Sequence, residues 1–225
     1  MSVWIKICGV TRLEDARAAF DGGADAIGIN FWSRSRRYCP VHKAREIVAA
    51  LGPHHLVYGV FVGAARAEIE TIAAEVGLGG VQLHGGETAG AAEGWALPVI
   101  RAVGAASRVV VAEALAQAGA HAAACASARG SSVPTGNVGL AGYRVLLDNP
   151  AGGGSGRVFD AAVVEGLDVS QAIVAGGLTP ENVSAIVALL APFGVDTAGG
   201  VEVAAGIKDA RLIQEFIGNA RSARR

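Results

Sequence analysis

Short continuous apolar runs alternate with longer stretches of helical periodicity, and the alternation repeats about eight times along the chain. Trp4 to Cys8, Ala26 to Phe31, Leu56 to Val62, Gly80 to Leu83, Pro98 to Val103, Val145 to Leu147, Ala172 to Ala175 and Gly194 to Thr197 read as strands. Between the first two, Thr11-Arg12-Leu13-Glu14 has the spacing of a capping box, and Gly22-Gly23 ends the helix it would open. Pro40 is expected to open a second helix running to about Leu51, because the first helical N–H has no partner to lose. Arg66 to Val76 reads as a third.

Strands with no polar alternation are buried on both faces, as in parallel sheets with helical crossovers. Eight of them predict an α/β fold, a (β/α)8 TIM barrel, with residues 1–225 as a single domain. An open doubly wound sheet would carry a GxGxxG turn after the first strand, and none stands there. One stretch, residues 105–143, is atypically rich in alanine, glycine and serine; it is expected to hold a helix around Arg108 to Ala118 and then a long connection.

Composition agrees with a large packed domain. Apolar residues make up 52% of the chain, enough for a sizeable core, so its 32 glycines point to tight turns rather than disorder. A net charge of -1 argues against a nucleic-acid or anionic-membrane partner. No apolar run approaches the ~18 residues of a membrane span, and Lys6 interrupts the N-terminus where a signal peptide needs its apolar run, so a cytoplasmic protein is expected. Cys8, Cys39 and Cys125 are widely spaced with no CxxC pair, so reduced thiols and no metal are the expectation.

Chemistry is expected where strands stop, at the carboxyl end of the barrel. Cys8 ends the first strand in Lys6-Ile7-Cys8-Gly9-Val10-Thr11, and Lys6 lies two residues back on the same strand face. A lone cysteine is usually an inert small hydrophobe, but a thiol there can accept a proton if a nearby cation favours its thiolate. Asp148 follows Val145 to Leu147 and reads either as a turn residue or as a proton donor. Gly154 and Ser155 lie in the glycine-rich loop just beyond it. Gly176-Gly177 and Gly199-Gly200 follow the seventh and eighth strands, where this fold commonly cradles a phosphate on backbone N–H groups. The run Arg34-Ser35-Arg36-Arg37-Tyr38 follows the second strand; such basic runs are most often solvated surface, but an arginine there suits a carboxylate held by two parallel hydrogen bonds. His84 either lines the pocket or satisfies a turn, and Asp196 either meets substrate or caps the short helix that follows.

In this order the segments resemble phosphoribosylanthranilate isomerase of tryptophan biosynthesis. The resemblance rests on Lys6 to Thr11, Ser35-Arg36-Arg37-Tyr38, Val60-Phe61-Val62, Val81 to Gly85, Leu147-Asp148 and Gly153 to Gly156. It continues through Phe159-Asp160, Gly176 to Val183, Gly200-Val201-Glu202 and Gly206-Ile207-Lys208-Asp209. It implies an Amadori rearrangement of a phosphosugar–anthranilate, with no metal or organic cofactor, in a monomer or homodimer. It also implies that Asp148 is the general acid, Cys8 the general base and Arg37 the grip on the anthranilate carboxylate. Ala198-Gly199 stands where the family usually has a serine pair, Ala161 where it has tryptophan and Gly63 where it has asparagine. Two other readings compete: the histidine-pathway isomerase, which normally has an aspartate on its first strand and a second phosphate site, and a phosphosugar-binding barrel without turnover.

Overall fold

The computed structural model describes residues 2–128, 143–150 and 158–223. Eight parallel strands close into a barrel in sequence order. They are β1 (Trp4–Cys8), β2 (Ala26–Asn30), β3 (Val57–Phe61), β4 (Gly80–Leu83), β5 (Val99–Gly104), β6 (Tyr143–Asp148), β7 (Ile173–Val174) and β8 (Gly194–Thr197). Around them pack α1 (Leu13–Asp21), α2 (Val41–Leu51), α3 (Arg66–Val76), α4 (Arg108–Ala128), α5 (Pro180–Leu190) and α6 (Ala210–Ser222). Among the described residues, 3-10 turns stand after β4, at Ala89–Ala92, and after β6, at Ala161–Val164. A small hairpin, β9 (Glu202–Ala204) and β10 (Ile207–Lys208), stands between β8 and α6. Among the described residues no helix is long and apolar enough to cross a membrane.

The period-two geometry of a strand sorts its residues into two cores. Ile5, Ile7, Ile27, Ile29, Val81, Val145 and Leu147 face outward and pack against the helices. Tyr58, Ile100, Leu146 and Ile173 fill the barrel interior, closed below by Trp4 and Phe193. Trp4 meets the Tyr58 ring edge-on, with centroids 6.3 Å apart.

Three local expectations are corrected. The Thr11 capping box does not form: Arg12 is the N-cap residue and makes no side-chain cap, while the Thr11 hydroxyl donates to the Gly206 carbonyl at 2.6 Å. Pro40 caps α2 from outside rather than occupying its first turn, since its ψ of 148° is extended. The helix expected from Arg108 to Ala118 runs to Ala128 instead, because its alanine-rich continuation contains no proline and has strong intrinsic helix propensity. The rest of the atypical stretch, and Gly154 and Ser155, lie outside the described residues.

Candidate active site

Cys8 is the last residue of β1, with Trp4 and Lys6 on the same inward face. Lys6 is completely buried inside the barrel, and parallel pairing of β1 with β8 sets it beside Asp196, whose Oδ1 accepts from its Nζ at 2.5 Å. A buried ion pair generally stabilises less than apolar packing does, so its presence inside a core points to chemistry rather than stability. It also corrects one reading of Asp196: the aspartate caps no helix, its Oδ1 instead accepting from Lys6.

Gly28 on β2 makes the room. A Cβ there would lie 2.8 Å from the Cys8 Sγ and 3.3 Å from the Lys6 Nζ, so thiol and ammonium share one small space. We expect Gly28→Ala to displace the sulfur and lower kcat by about 10²-fold, the scale of a 1 Å misplacement, with an unchanged circular dichroism spectrum. Native kcat in that variant would show that the close approach is not used.

The thiol is partly exposed at the barrel mouth. Burial pushes Cys8 above the ordinary thiol range and Asp196 adds to the effect; Lys6 and Lys208 pull the other way without overcoming it. The cation anticipated from the sequence is therefore present, but it does not make the resting group a thiolate. Lys6 itself is pulled down by burial, and Asp196 and Cys8 outweigh that, so it stays an ammonium.

Asp148 ends β6, three strands round the ring from β1 through β8 and β7, so it stands across the mouth from Cys8. Its residue is only 5% exposed. Its Oδ1 accepts from the Asn149 backbone N–H at 2.8 Å, and its Oδ2 lies 3.2 Å from the His84 Nε2. The Gln82 amide stands 3.1 Å from the His84 Nδ1. With the amide nitrogen donating to Nδ1, the ring carries a proton on Nε2, the nitrogen nearer Asp148. His84 thus stands at the mouth beside Asp148. An open cavity of about 280 Å³ lies beside these groups, lined among others by His84, Arg101, Gly104 and Asp148.

The loops after β7 and β8 touch. A Cβ on Gly200 would collide with the Leu178 carbonyl, and Thr197 Oγ1 donates to that carbonyl at 2.7 Å. Gly176 and Gly177 take φ of 93° and 63°, a left-handed backbone suited to glycine. A Cβ on Gly176 would also lie 3.0 Å from the Asp148 Oδ1, so this loop passes directly over the acid. Asn182 secures the start of α5, accepting from the Thr179 N–H and donating to the Gly177 carbonyl, both at 2.9 Å. Among the described residues, nothing accepts from the backbone N–H groups of Gly177, Leu178, Gly199 or Gly200. Such N–H groups on adjoining loops suit an anion.

Arg37 sits in a loop folded on itself, where its N–H donates to Ser35 Oγ at 3.1 Å and the Tyr38 N–H to the Ser35 carbonyl. Its stem crosses Gly9, where a Cβ would lie 2.3 Å from the Arg37 Cδ; with φ of 71°, Gly9 is required twice over. The guanidinium is not free: Glu202 engages Nε and Nη2, each at 2.8 Å. The sequence reading named neither Glu202 nor Lys208 as a site residue, although both lie in motifs that carry the resemblance.

The chain is similar to known proteins along most of its length. A family model described as N-(5'phosphoribosyl)anthranilate (PRA) isomerase matches residues 5–125 and 139–219. The N-(5'-phosphoribosyl)anthranilate isomerase of Pseudomonas fluorescens (strain Pf0-1) is 43% identical, over 96% of this chain and 97% of the relative. That of Myxococcus xanthus is 42% identical, over 99% and 98%. Among solved structures, the phosphoribosyl anthranilate isomerase of Thermotoga maritima superposes with a TM-score of 0.78 at 34% identity, covering 98% of this chain and 99% of that one. Another, in complex with reduced 1-(o-carboxyphenylamino)-1-deoxyribulose 5-phosphate, gives a TM-score of 0.77 at 32% identity with the same coverage. With a closed eight-stranded barrel and a family match spanning most of its length, this chain belongs to the N-(5'-phosphoribosyl)anthranilate isomerase family.

Proposed function

We propose that this chain catalyses the Amadori rearrangement of N-(5'-phosphoribosyl)anthranilate to 1-(2-carboxyphenylamino)-1-deoxyribulose 5-phosphate, with Asp148 as general acid and Cys8 as general base. The single observation carrying this assignment is a thiol and a carboxyl group at opposite sides of one barrel mouth, beside paired glycine loops. Asp148 gives a proton to the ribose ring oxygen; the C1–O bond breaks as the nitrogen lone pair closes a C1=N bond. The Cys8 thiolate then takes the C2 proton, and that electron pair forms C1=C2 while the nitrogen recovers its own. The resulting enolamine gains a proton at C1, loses its hydroxyl proton at C2 and becomes the ketone. An acid and a base on opposite sides of the sugar are what two such proton transfers need.

The phosphate is assigned to the N–H groups of Gly176-Gly177-Leu178 and Gly199-Gly200, and the anthranilate carboxylate to Arg37; Gly154 and Ser155, outside the described residues, are kept as substrate contacts on the sequence alone. Backbone donors suffice for the phosphate even though Ala198-Gly199 offers no hydroxyl. Asp196 is placed to meet a ribose hydroxyl through whichever lone pairs Lys6 leaves open. Each turnover moves a proton onto Cys8 and one off Asp148, so both must be restored before the next. The reaction as drawn uses no cofactor. We read the protein as cytoplasmic, and as a monomer or homodimer; the relative from Thermotoga maritima is dimeric.

Purified protein is expected to consume phosphoribosylanthranilate, followed by loss of anthranilate-type fluorescence, and to leave the doubly phosphorylated substrate of the histidine-pathway isomerase unchanged. Turnover of the second substrate alone would replace this reading; turnover of neither would favour a binding barrel.

A further inference from the structure

Two charged residues in the segments that carry the resemblance, Glu202 and Lys208, have no part in the chemistry above. They stand on the two strands of the β9–β10 hairpin, and the hairpin holds a polar cluster under Arg37. The Glu202 carboxylate, 6% exposed, receives four hydrogen bonds: from Arg37 Nε and Nη2 and Lys208 Nζ, each at 2.8 Å, and from the Gly206 N–H at 3.1 Å. The Lys208 side chain is completely buried. Its Nζ also donates to the Cys8 carbonyl at 2.6 Å and the Ala198 carbonyl at 2.9 Å.

We infer that Glu202, backed by Lys208, is a positioning residue that turns Arg37 so that only the end-on pair of its guanidinium N–H groups faces the substrate carboxylate. The inference rests on the function proposed above. A guanidinium has five N–H donors in a fixed plane, and its two forks are the Nε/Nη2 edge and the Nη1/Nη2 end. Glu202 fills the edge. The stem cannot swing away, being wedged against Gly9, and Nη2 lies 3.1 Å from where a Cβ of Gly199 would be. The outward end of the Arg37 guanidinium still carries positive charge, which favours an incoming anion. In keeping with this, the hydrogen bonds that Arg37 donates to Glu202 hold the guanidinium above its ordinary value, and Glu202 is held below its own despite its burial.

Glu202 directly follows the Gly199–Val201 turn of the phosphate loop. The same rigid piece of chain therefore sets the separation between the phosphate donors and the carboxylate grip. Substrate choice then reads the distance between two anions on one molecule, in addition to each anion alone.

The test compares two inhibitors on the full chain: reduced 1-(2-carboxyphenylamino)-1-deoxyribulose 5-phosphate, and the same compound without its carboxyl group. Wild type is expected to prefer the first. Glu202→Gln is expected to weaken it by about tenfold or more and the second by less than about twofold, collapsing the preference; KM for phosphoribosylanthranilate rises while kcat changes less. Equal weakening of both inhibitors, or of neither, overturns the inference, because a merely structural role disturbs both alike. Glu202→Asp keeps the charge on a shorter stem and provides the same readout if the glutamine variant does not fold: a reduced preference supports the inference, and an unchanged one overturns it. Wild type that neither turns over phosphoribosylanthranilate nor prefers the carboxylate overturns the functional reading instead.

Discussion

Replacing Cys8 by serine is expected to lower kcat by about 10² to 10⁴, the usual span for a lost general base, while the reduced product analogue binds as before. A hydroxyl is far less acidic than a thiol, so the serine side chain cannot present an anion to the C2 proton near neutral pH. The substitution removes little volume and leaves Lys6, Asp196 and Gly28 in place, so loss of kcat without loss of affinity isolates the proton transfer. The thiol itself is checked by following alkylation of the Cys8 peptide against pH. Burial favours the neutral form, so the reactive thiolate is scarce at pH 7 and increases with pH, levelling off only above the ordinary thiol range. Levelling below about pH 8 would show that Lys6 and Lys208 outweigh burial, whereas full activity in the serine variant removes Cys8 from its role.

The second large effect is expected from Asp148→Asn. The amide keeps the shape of the carboxyl group and can still meet the Asn149 N–H through its oxygen, but it has no acidic proton for the ring oxygen. A kcat loss of the same order, about 10² to 10⁴, is expected with the analogue still bound. Because ring opening precedes C2 deprotonation, the variant should also fail to exchange the C2 hydrogen with solvent. Alkylation of Cys8 should be unchanged, since Asp148 is not among the groups that set its titration. Native kcat in Asp148→Asn would assign the acid elsewhere, with His84, 3.2 Å away, the first residue to test.

Much of this was legible along the chain because a parallel barrel strand leaves a local signature: a short apolar run that stops at a glycine or a polar residue. Cys8 and Asp148 could be picked out because each stands at such a stop. What was not legible depends on contacts between distant segments. Thr11 has the right spacing for a cap, yet its hydroxyl goes to Gly206, a partner no local window contains. Lys6 could be placed on the Cys8 face by strand period, but only pairing with β8 reveals that Asp196 occupies its ammonium. Glu202 and Lys208 look like ordinary charges of a surface hairpin. Their roles emerge only when the hairpin folds against the β2–α2 loop and the end of β1.

The Lys208 bond to the Cys8 carbonyl joins positions 200 residues apart. During synthesis β1 is made well before the hairpin and waits, its mouth end unbraced, while the strands between them are made. Ring closure against β8 and arrival of the hairpin then brace it together, late in assembly and at high loop-closure cost. The mouth is thus finished late: a molecule that stops before β8 keeps most of its strands but has no brace at the end of β1.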